Sequence, residues 1–326
     1  MKLQLLVPQY NETEKEIKPL LDSLAIQQSV NFKDVGVIIC NDGSDVHLSK
    51  KFLKSYPFKI EYYLCEHQGV SATRNACLDH ATADYVMFCD ADDMFLMNCA
   101  LWIIFREMDI GFDSMTSAFV EETHFGDIVD YITHDVDSTF VHGKIHRRDY
   151  LIEKDIRWNP KLTIHEDSYF NILCQNLSDN VKYYPTPFYL WKWRDNSVCR
   201  HDPKYILKTY KNMIDSSSAL LDEFIQRGKQ DKAMTFCCTM ILDAYYTMNK
   251  PEWINQENKE YRDSTELHFA QYFKKWQHLW DDTSPQEKII MSNQIRQRSI
   301  GEGMRFEAKT IDDWLKHIKK LSRQKK

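Results

Sequence analysis

The stretch Val86-Met-Phe-Cys-Asp90-Ala-Asp92-Asp93 joins an apolar segment, typical of a buried strand, to three acidic side chains within four positions. The carboxylates repel one another, and acids crowded at a strand end suit a hard divalent cation such as magnesium or manganese. Aspartates also gather after strands as turn formers that bond their own backbone. The stretch by itself leaves both interpretations open, so the residues on either side of it must decide.

Strand and helix patterns alternate on the N-terminal side of this stretch. Strands are predicted at Leu3 to Val7 (ended by Pro8), Val35 to Cys40, Lys59 to Leu64 and Ala83 to Cys89, with helices at Glu14 to Gln27, Lys50 to Lys54 and Val70 to His80. This alternation predicts a mostly parallel sheet with helices on both faces. Ligands bind beyond the carboxyl ends of such strands. Three polar clusters are therefore expected in one crevice: Pro8-Gln-Tyr-Asn-Glu12, Asn41-Asp-Gly-Ser-Asp45 and Asp90-Ala-Asp-Asp93.

The pattern changes on the C-terminal side. Residues 115 to 141 alternate in a way that predicts further, partly antiparallel strands, and the chain after Pro203 is helical throughout. The 326 residues, 43% of them hydrophobic and 13% aromatic, suffice for an α/β domain with an added helical region. The net charge of −6 predicts no nucleic-acid partner. Scattered cysteines and a strand-like start predict a cytoplasmic protein.

Six separated motifs follow one another along residues 3 to 200: Pro8-Gln-Tyr-Asn-Glu12, Asn41-Asp-Gly-Ser-Asp45, Gln68-Gly-Val-Ser-Ala-Thr-Arg-Asn75, Asp90-Ala-Asp-Asp93, Gly143-Lys-Ile-His-Arg-Arg148 and His165-Glu-Asp167. In this order they resemble the motifs of the family 2 glycosyltransferases. The resemblance implies an α/β fold of the GT-A type, with a Rossmann-like mixed sheet, over residues 1–200. It leaves residues 201–326 as a helical C-terminal region for acceptor, membrane-surface or oligomer contacts.

The resemblance also implies a site for a UDP-sugar donor. Pro8 and Tyr10 offer a surface for the nucleobase, and Asp42 can accept the imide N–H of uracil. Relatives carry an acid at the position of Asn41, so a role that needs charge there is in doubt. Arg74 can pair with a phosphate or orient a carboxylate of the acidic cluster. The donor-binding residues implied in this way are Pro8, Tyr10, Asn11, Glu12, Asp42, Arg74, Asp90, Ala91 and Arg194.

In the family's D-x-D pair, Asp92 is expected to bind Mn²⁺ or Mg²⁺ directly. Asp90 is expected to contact the ribose, or the metal through water, and Asp93 to orient the loop. His165-Glu-Asp167 resembles the Glu-Asp pair that starts a helix facing the sugar. We assign Asp167 as the base that removes the acceptor proton and Glu166 as the residue that orients acceptor or donor sugar, an assignment that can be exchanged. Helix-capping acids remain the alternative.

The predicted reaction is inverting, metal-dependent transfer of one sugar to a hydroxyl of a glycan, cell-wall polymer or lipid-linked acceptor. The segment Trp191-Lys-Trp-Arg194 lacks the Gln-x-x-Arg-Trp signature of processive relatives, which favours single-sugar transfer. Two alternatives stay open: a catalytically weak nucleotide-sugar-binding protein, and a nucleotidyltransferase, which would need a Gly-rich triphosphate loop after the first strand.

The C-terminal region carries two further interpretations. Residues 314 to 326 form a basic amphipathic end, which predicts either peripheral contact with the inner face of an anionic membrane or a solvated terminal helix. The aromatic stripe Phe269, Tyr272, Phe273, Trp276 and Trp280 predicts packing either against a domain or, in a homo-oligomer, against another subunit.

Overall fold

The chain forms two units, Met1–Ser197 and Val198–Lys326, in a computed structural model. The structure describes residues 1–135, 137, 139–194, 204–301 and 310–323, without the side chains of residues 252 and 298–301.

The first unit is built on two sheets. Their strands are β1 (Leu3–Gln9), β2 (Val35–Asp42), β3 (Lys59–Cys65), β4 (Tyr85–Phe88), β5 (Met94–Phe95), β6 (Ser114–Ser117), β7 (Phe119–Phe125), β8 (Ile128–His134), β9 (Lys144–Arg147), β10 (Val181–Tyr184) and β11 (Tyr189–Trp191). The larger sheet has the order β10-β6-β9-β4-β1-β2-β3, and the smaller one β5-β11-β7-β8. β9 runs antiparallel to both of its neighbours, so the large sheet is mixed.

Six α-helices accompany these sheets in the described residues of this unit: α1 (Glu14–Ala25), α2 (Lys50–Leu53), α3 (Val70–His80), α4 (Ala100–Ile110), α5 (Arg148–Glu153) and α6 (Glu166–Asn176). The apolar side of α1, with Ile17, Leu20 and Leu24, is fully buried in a core shared with β1 and β2. β1 lies between β2 and β4 and runs parallel to both. Their carboxyl ends therefore meet at one edge of the sheet, which brings the first, second and fourth motifs together.

Pro8 corrects one sequence expectation, because it lies inside β1 rather than ending it. β4 pairs with β1 only from Leu3 to Leu6, and Cys89 donates its N–H to the carbonyl of Leu6 on that side. Backbone groups change sides at each residue of a strand, so the N–H that Pro8 lacks would point to the same side as that of Leu6. β4 has ended there, and no ladder bond is lost.

The second unit is helical, as predicted for the C-terminal region. Its helices are α7 (Tyr205–Gln226), α8 (Gln230–Met248), α9 (Pro251–Ile254), α10 (Lys259–Asp282), α11 (Pro285–Gly301) and α12 (Ile311–Leu321). Four members of the aromatic stripe, Phe269, Tyr272, Phe273 and Trp276, are buried. They form part of the core of this unit.

α12 differs from the amphipathic membrane helix considered above. Its apolar residues Trp314, Leu315 and Ile318 are buried, and the Trp314 ring lies 5.3 Å from that of Phe269 and 5.7 Å from that of Tyr245. A helix resting on a membrane turns its apolar side to lipid, whereas this side packs within the unit. Within the described ranges, no helix combines the length and apolar character needed to cross a bilayer.

Candidate active site

Asp42, the last residue of β2, ties its own loop to the loop before α3. Its Oδ1 accepts the N–H of Gln68 at 2.9 Å, and its Oδ2 accepts that of Gly69 at 3.0 Å. Gly43 makes this approach possible, since its φ is +69° and a Cβ there would lie 2.6 Å from the backbone nitrogen of His67. The second and third motifs are thereby packed against each other.

Tyr10 stands beside this junction. Its side chain is 48% exposed, and its ring stacks on that of His67 with 4.7 Å between centroids. Asn11 has a φ of 68°, and Glu12 folds back so that its Oε2 accepts the N–H of Tyr10 at 2.6 Å. The loop after β1 is thus held by Glu12, while the ring of Tyr10 presents one aromatic face.

Arg74 of α3 is the centre of a group that we call the Arg74 cluster, formed by Arg74, Asp90, Glu166 and Asp167. Its Nη2 lies 3.1 Å from Asp90 Oδ1, and its Nη1 lies 3.1 Å from Glu166 Oε1 and 2.8 Å from Asp167 Oδ1. The arginine is only 3% exposed. One guanidinium therefore connects the acidic turn after β4 to the two acids that begin α6, which lie some 75 residues further along the chain.

The Arg74 cluster brings three carboxylates to one guanidinium. Burial opposes the charge of Arg74, but Asp167, Asp90 and Glu166 outweigh it and raise the pKa of the guanidinium. Burial raises the pKa of Asp167, and it raises that of Glu166 to about 7, with the charge of Asp167 adding to the effect. Asp167 Oδ2 also accepts the N–H of Val141 at 3.1 Å, so both of its oxygens are held.

His165 sets the direction of α6. It precedes the helix with φ 63° and ψ 19°, a left-handed conformation that costs a non-glycine residue about 1–2 kcal/mol. This turn places Glu166 and Asp167 in the first helical turn, where the helix dipole favours acidic side chains. The strained backbone conformation therefore lies at the residue directly before the two acids that contact Arg74.

The acidic turn after β4 sends its side chains to different partners. Asp93 is 1% exposed. Its Oδ2 accepts the hydroxyl of Tyr189 at 2.8 Å and its Oδ1 the N–H of Lys192 at 3.0 Å. Ligand atoms of Asp90, Asp93 and His142 lie within 4.8 Å of one another. Because both oxygens of Asp93 already accept hydrogen bonds that join the turn to β11, we interpret Asp93 as an anchor of the loop.

Asp92 faces a different cation. Its Oδ2 lies 3.0 Å from Nη1 of Arg194, and the same nitrogen lies 3.1 Å from Glu12 Oε1. Burial raises the pKa of Asp92, and the charge of Asp90 raises it further. Ala91 is buried between the two acids. We call Glu12, Asp92 and Arg194 the Arg194 bridge; it joins the loops after β1 and β4 to the end of the first unit.

Comparison with known proteins identifies the first part of the chain. Residues 5–143 match the family model described as "Glycosyl transferase family 2". This part of the chain belongs to glycosyl transferase family 2. The matched residues contain most of β1, all of β2 to β8, and the first, second, third and fourth motifs. The predicted family is confirmed.

Relatives of this family 2 domain include two named bacterial enzymes. One is the poly(ribitol-phosphate) beta-N-acetylglucosaminyltransferase TarS of Staphylococcus aureus, 28% identical over 205 residues, which are 57% of this chain and 36% of TarS. Another is the GalNAc(5)-diNAcBac-PP-undecaprenol beta-1,3-glucosyltransferase of Campylobacter jejuni, 30% identical over 118 residues, which are 34% of this chain and 36% of that protein. The chain matches little more than a third of the length of either relative.

A solved structure shares the fold over most of the chain. Residues 1–349 of S. aureus TarS, crystallised with UDP-GlcNAc, align with a TM-score of 0.63, covering 94% of this chain and 93% of that one at 16% identity. The predicted GT-A fold with added C-terminal helices is confirmed.

The site contains residues that no motif of the family 2 domain predicted. Trp158 is buried and lies 4.4 Å from Arg74 Cζ, with its ring stacked 4.1 Å from Phe170. Tyr189 and His142 surround Asp93, and His67 covers one side of Tyr10. In the sequence, the nearest indication of these residues is an aromatic residue or a histidine beside one of the motifs, such as His67 before Gln68 or His142 before Gly143. Such residues are common in any protein core.

The hydrogen bonds of Asn41 account for an amide at a position where the family pattern has an acid. Its Nδ2 donates to the carbonyl of Val46 at 2.8 Å and to the hydroxyl of Tyr62 at 2.9 Å, while its Oδ1 accepts the N–H of Ser44 at 2.8 Å. The hydroxyl of Tyr62 in turn donates a hydrogen bond to Oε1 of Gln9. An amide can donate and accept at once, whereas a carboxylate only accepts. Asn41 therefore holds the loop that presents Asp42.

We expect Asn41→Asp to lower the free energy of unfolding by about 1–3 kcal/mol, because a buried carboxylate would face the carbonyl of Val46. Urea unfolding followed by circular dichroism measures this loss. The matched control is Asn31→Asp, since exposed Asn31 only accepts a hydrogen bond, from the N–H of Lys33. Equal stability of the two variants would contradict the role given to Asn41.

Proposed function

We propose that this chain is a metal-dependent, inverting glycosyltransferase that moves one sugar from a UDP-sugar to a hydroxyl acceptor. The observation that carries this proposal is the Arg74 cluster, in which one buried guanidinium joins Asp90 of the D-x-D pair to Glu166 and Asp167. An inverting transferase needs the attacking hydroxyl held on the face of the anomeric carbon opposite to the leaving diphosphate. The cluster connects the residues assigned to each of these tasks.

The donor end is assigned to the loops after β1 and β2. The exposed ring of Tyr10 offers a stacking face for a base, next to Pro8 and Asn11. Asp42 Oδ1 accepts one hydrogen bond, from the N–H of Gln68, and so retains a lone pair for the imide of uracil, whereas Oδ2 accepts from Gly69 and also lies 3.0 Å from Nδ1 of His67. The crystallised relative TarS takes UDP-GlcNAc, which supports a UDP-sugar as the donor here.

Asp90 and Asp92 fit a divalent ion, because both offer carboxylate oxygens from one short turn and side chains 32% and 19% exposed. We propose that Asp92, with Asp90, would hold Mn²⁺ or Mg²⁺. When bound, the ion neutralises charge that develops on the diphosphate. Arg194 offers a further cation at the same place, in reach of the phosphates.

The base end is assigned to the start of α6. Asp167 is held by Arg74 and by the N–H of Val141, so its orientation is fixed, and its raised pKa makes it a better proton acceptor than an ordinary aspartate. We propose that it takes the proton of the acceptor hydroxyl. Glu166, with a pKa of about 7, is partly protonated at neutral pH and can donate a hydrogen bond to a sugar hydroxyl.

The acceptor is assigned only by class. TarS is named for poly(ribitol-phosphate), and the C. jejuni relative for an undecaprenol-linked glycan; both are long or lipid-linked hydroxyl acceptors. We propose such an acceptor here, with transfer of a single sugar at the cytoplasmic face of a membrane. In this proposal residues 1–200 form the catalytic domain, and the helices of residues 201–326 contact the acceptor, the membrane surface or a second subunit.

The deciding experiment measures hydrolysis of a panel of UDP-sugars with and without Mn²⁺. We expect turnover of at least one UDP-sugar that stops when the metal is chelated, and an apparent Mn²⁺ affinity at least about tenfold weaker in Asp92→Ala. The control is Asp109→Ala, an exposed acid paired only at the surface with Lys2. Turnover that survives chelation, or a fully active Asp92→Ala variant, would overturn the metal-dependent mechanism.

A further inference from the structure

The Arg194 bridge brings two acids from different loops to a single nitrogen. Nη1 of Arg194 lies 3.1 Å from Glu12 Oε1 and 3.0 Å from Asp92 Oδ2. The two carboxylate side chains are only 11% and 19% exposed, whereas the arginine is 40% exposed. The acids are thus set into the protein, and the cation approaches them from the solvent side.

This arrangement needs a positive charge at the point where the acids converge. Two partly buried carboxylates directed at one position repel each other, and the repulsion is strong because water screens it poorly. Arg194 supplies this charge, since its Nη1 lies within 3.1 Å of an oxygen of each acid.

Arg194 in this geometry opposes the binding of a divalent ion to Asp92 Oδ2, because both are cations attracted to the same oxygen. A metal such as Mg²⁺ binds carboxylate oxygens at about 2.0–2.1 Å, and a guanidinium on the same oxygen would place two cations within a few ångströms of each other. Their Coulomb repulsion is large at a site shielded from solvent. Each cation therefore weakens the binding of the other to this oxygen.

We propose that Arg194 is a replaceable counter-ion that couples metal binding to donor binding. Without donor it neutralises Glu12 and Asp92 and so opposes binding of the metal alone. The donor's diphosphate gives the arginine a new anionic partner, which frees Asp92 for the metal. This inference rests on the proposed function, and it adds that Arg194 determines the order in which the site fills.

A plain structural role predicts something different. If Arg194 only fastened the loop after β1 to the acidic turn, its loss would loosen the turn and weaken metal binding. If it is a counter-ion in competition with the metal, its loss removes a competitor and strengthens binding of the metal alone. The two roles thus change the same dissociation constant in opposite directions.

The experiment measures the Kd of Mn²⁺ for the full chain by electron paramagnetic resonance of free Mn²⁺, with and without UDP. We expect Arg194→Gln to bind Mn²⁺ alone about tenfold more tightly than the unmodified protein, and UDP to improve Mn²⁺ binding less in the variant. Arg194→Lys keeps the charge, so its Kd for Mn²⁺ alone is expected within about threefold of the unmodified value. Circular dichroism confirms that each variant folds.

Arg157→Gln is the matched control, because Arg157 makes an exposed pair with Asp79 at 2.5 Å; it should leave both constants unchanged. If Arg194→Gln binds Mn²⁺ alone no more tightly than the unmodified protein does, the inference is overturned. It is also overturned if Arg194→Lys tightens Mn²⁺ binding as much as Arg194→Gln does, because charge is then excluded as the cause. If the unmodified protein binds no Mn²⁺ even with UDP, the proposed function itself fails. If it binds Mn²⁺ with UDP and the variants do not differ, the inference alone fails.

Discussion

Asp167→Asn is expected to lower kcat for sugar transfer by about 10²–10⁴-fold, the range for loss of a general base. The amide keeps the shape, and its one oxygen can still accept from either Arg74 or Val141, but it cannot take up the acceptor proton. KM for the UDP-sugar should change little, since the donor end lies in the loops after β1 and β2. Initial rates with a UDP-sugar and its acceptor, or a hydroxyl surrogate, measure the effect.

Glu166→Gln distinguishes the roles of the two acids, because it is expected to lower kcat less than Asp167→Asn does. The pH profile adds a second test. Because the base must be ionised and the pKa of Asp167 is raised by burial, kcat/KM should rise with pH through a value above the usual aspartate range near 4. If Glu166→Gln abolishes turnover and Asp167→Asn does not, the roles of the two residues are exchanged.

Arg74→Met is expected to lower the free energy of unfolding by about 3–5 kcal/mol, the cost of removing one partner from a buried ion pair. Three carboxylates, Asp90, Glu166 and Asp167, would lose their common cation. Methionine fills much of the space beside Trp158, so the effect reports mainly on charge. Urea unfolding at two pH values measures it.

The pH dependence checks this explanation of Arg74. Without the guanidinium the buried acids bind protons more readily in the folded state than in the unfolded one, so the loss should be smaller at about pH 5 than at about pH 8. Arg157→Met, at an exposed arginine, is the control and should change stability by less than about 1 kcal/mol. A loss for Arg74→Met no larger than in this control would contradict the role of the Arg74 cluster.

Local pattern was enough to predict much of the first unit. The predicted helix from Val70 to His80 has the same bounds in the structure, because the glycine before it and its own sequence determine where it begins. Pro8 was misread as a strand end, since its effect depends on where β4 stops. The antiparallel course of β9 could not be predicted either, because it depends on which neighbours the strand finds.

The candidate site divides in a similar way. Sequence motifs pointed to Asp42, Asp90, Asp92, Glu166 and Asp167, because the motifs that contain them resemble those of the family 2 glycosyltransferases. They could not show that Arg74 joins three of these acids, nor that Arg194 joins Asp92 to Glu12. Both depend on side chains up to 182 positions apart, and a contact over such a separation has no local signal.

The sequence by itself determined the family, the α/β alternation and the identity of the acids, because these depend on residue type and short spacing. The tertiary structure alone decided the partners of those acids. Parallel strands bring distant loops to one edge, and burial there makes each carboxylate depend on a cation from elsewhere in the chain. The stretch from Val86 to Asp93 therefore specifies a site with two cation partners, Arg74 for Asp90 and Arg194 for Asp92, that only folding can bring to it.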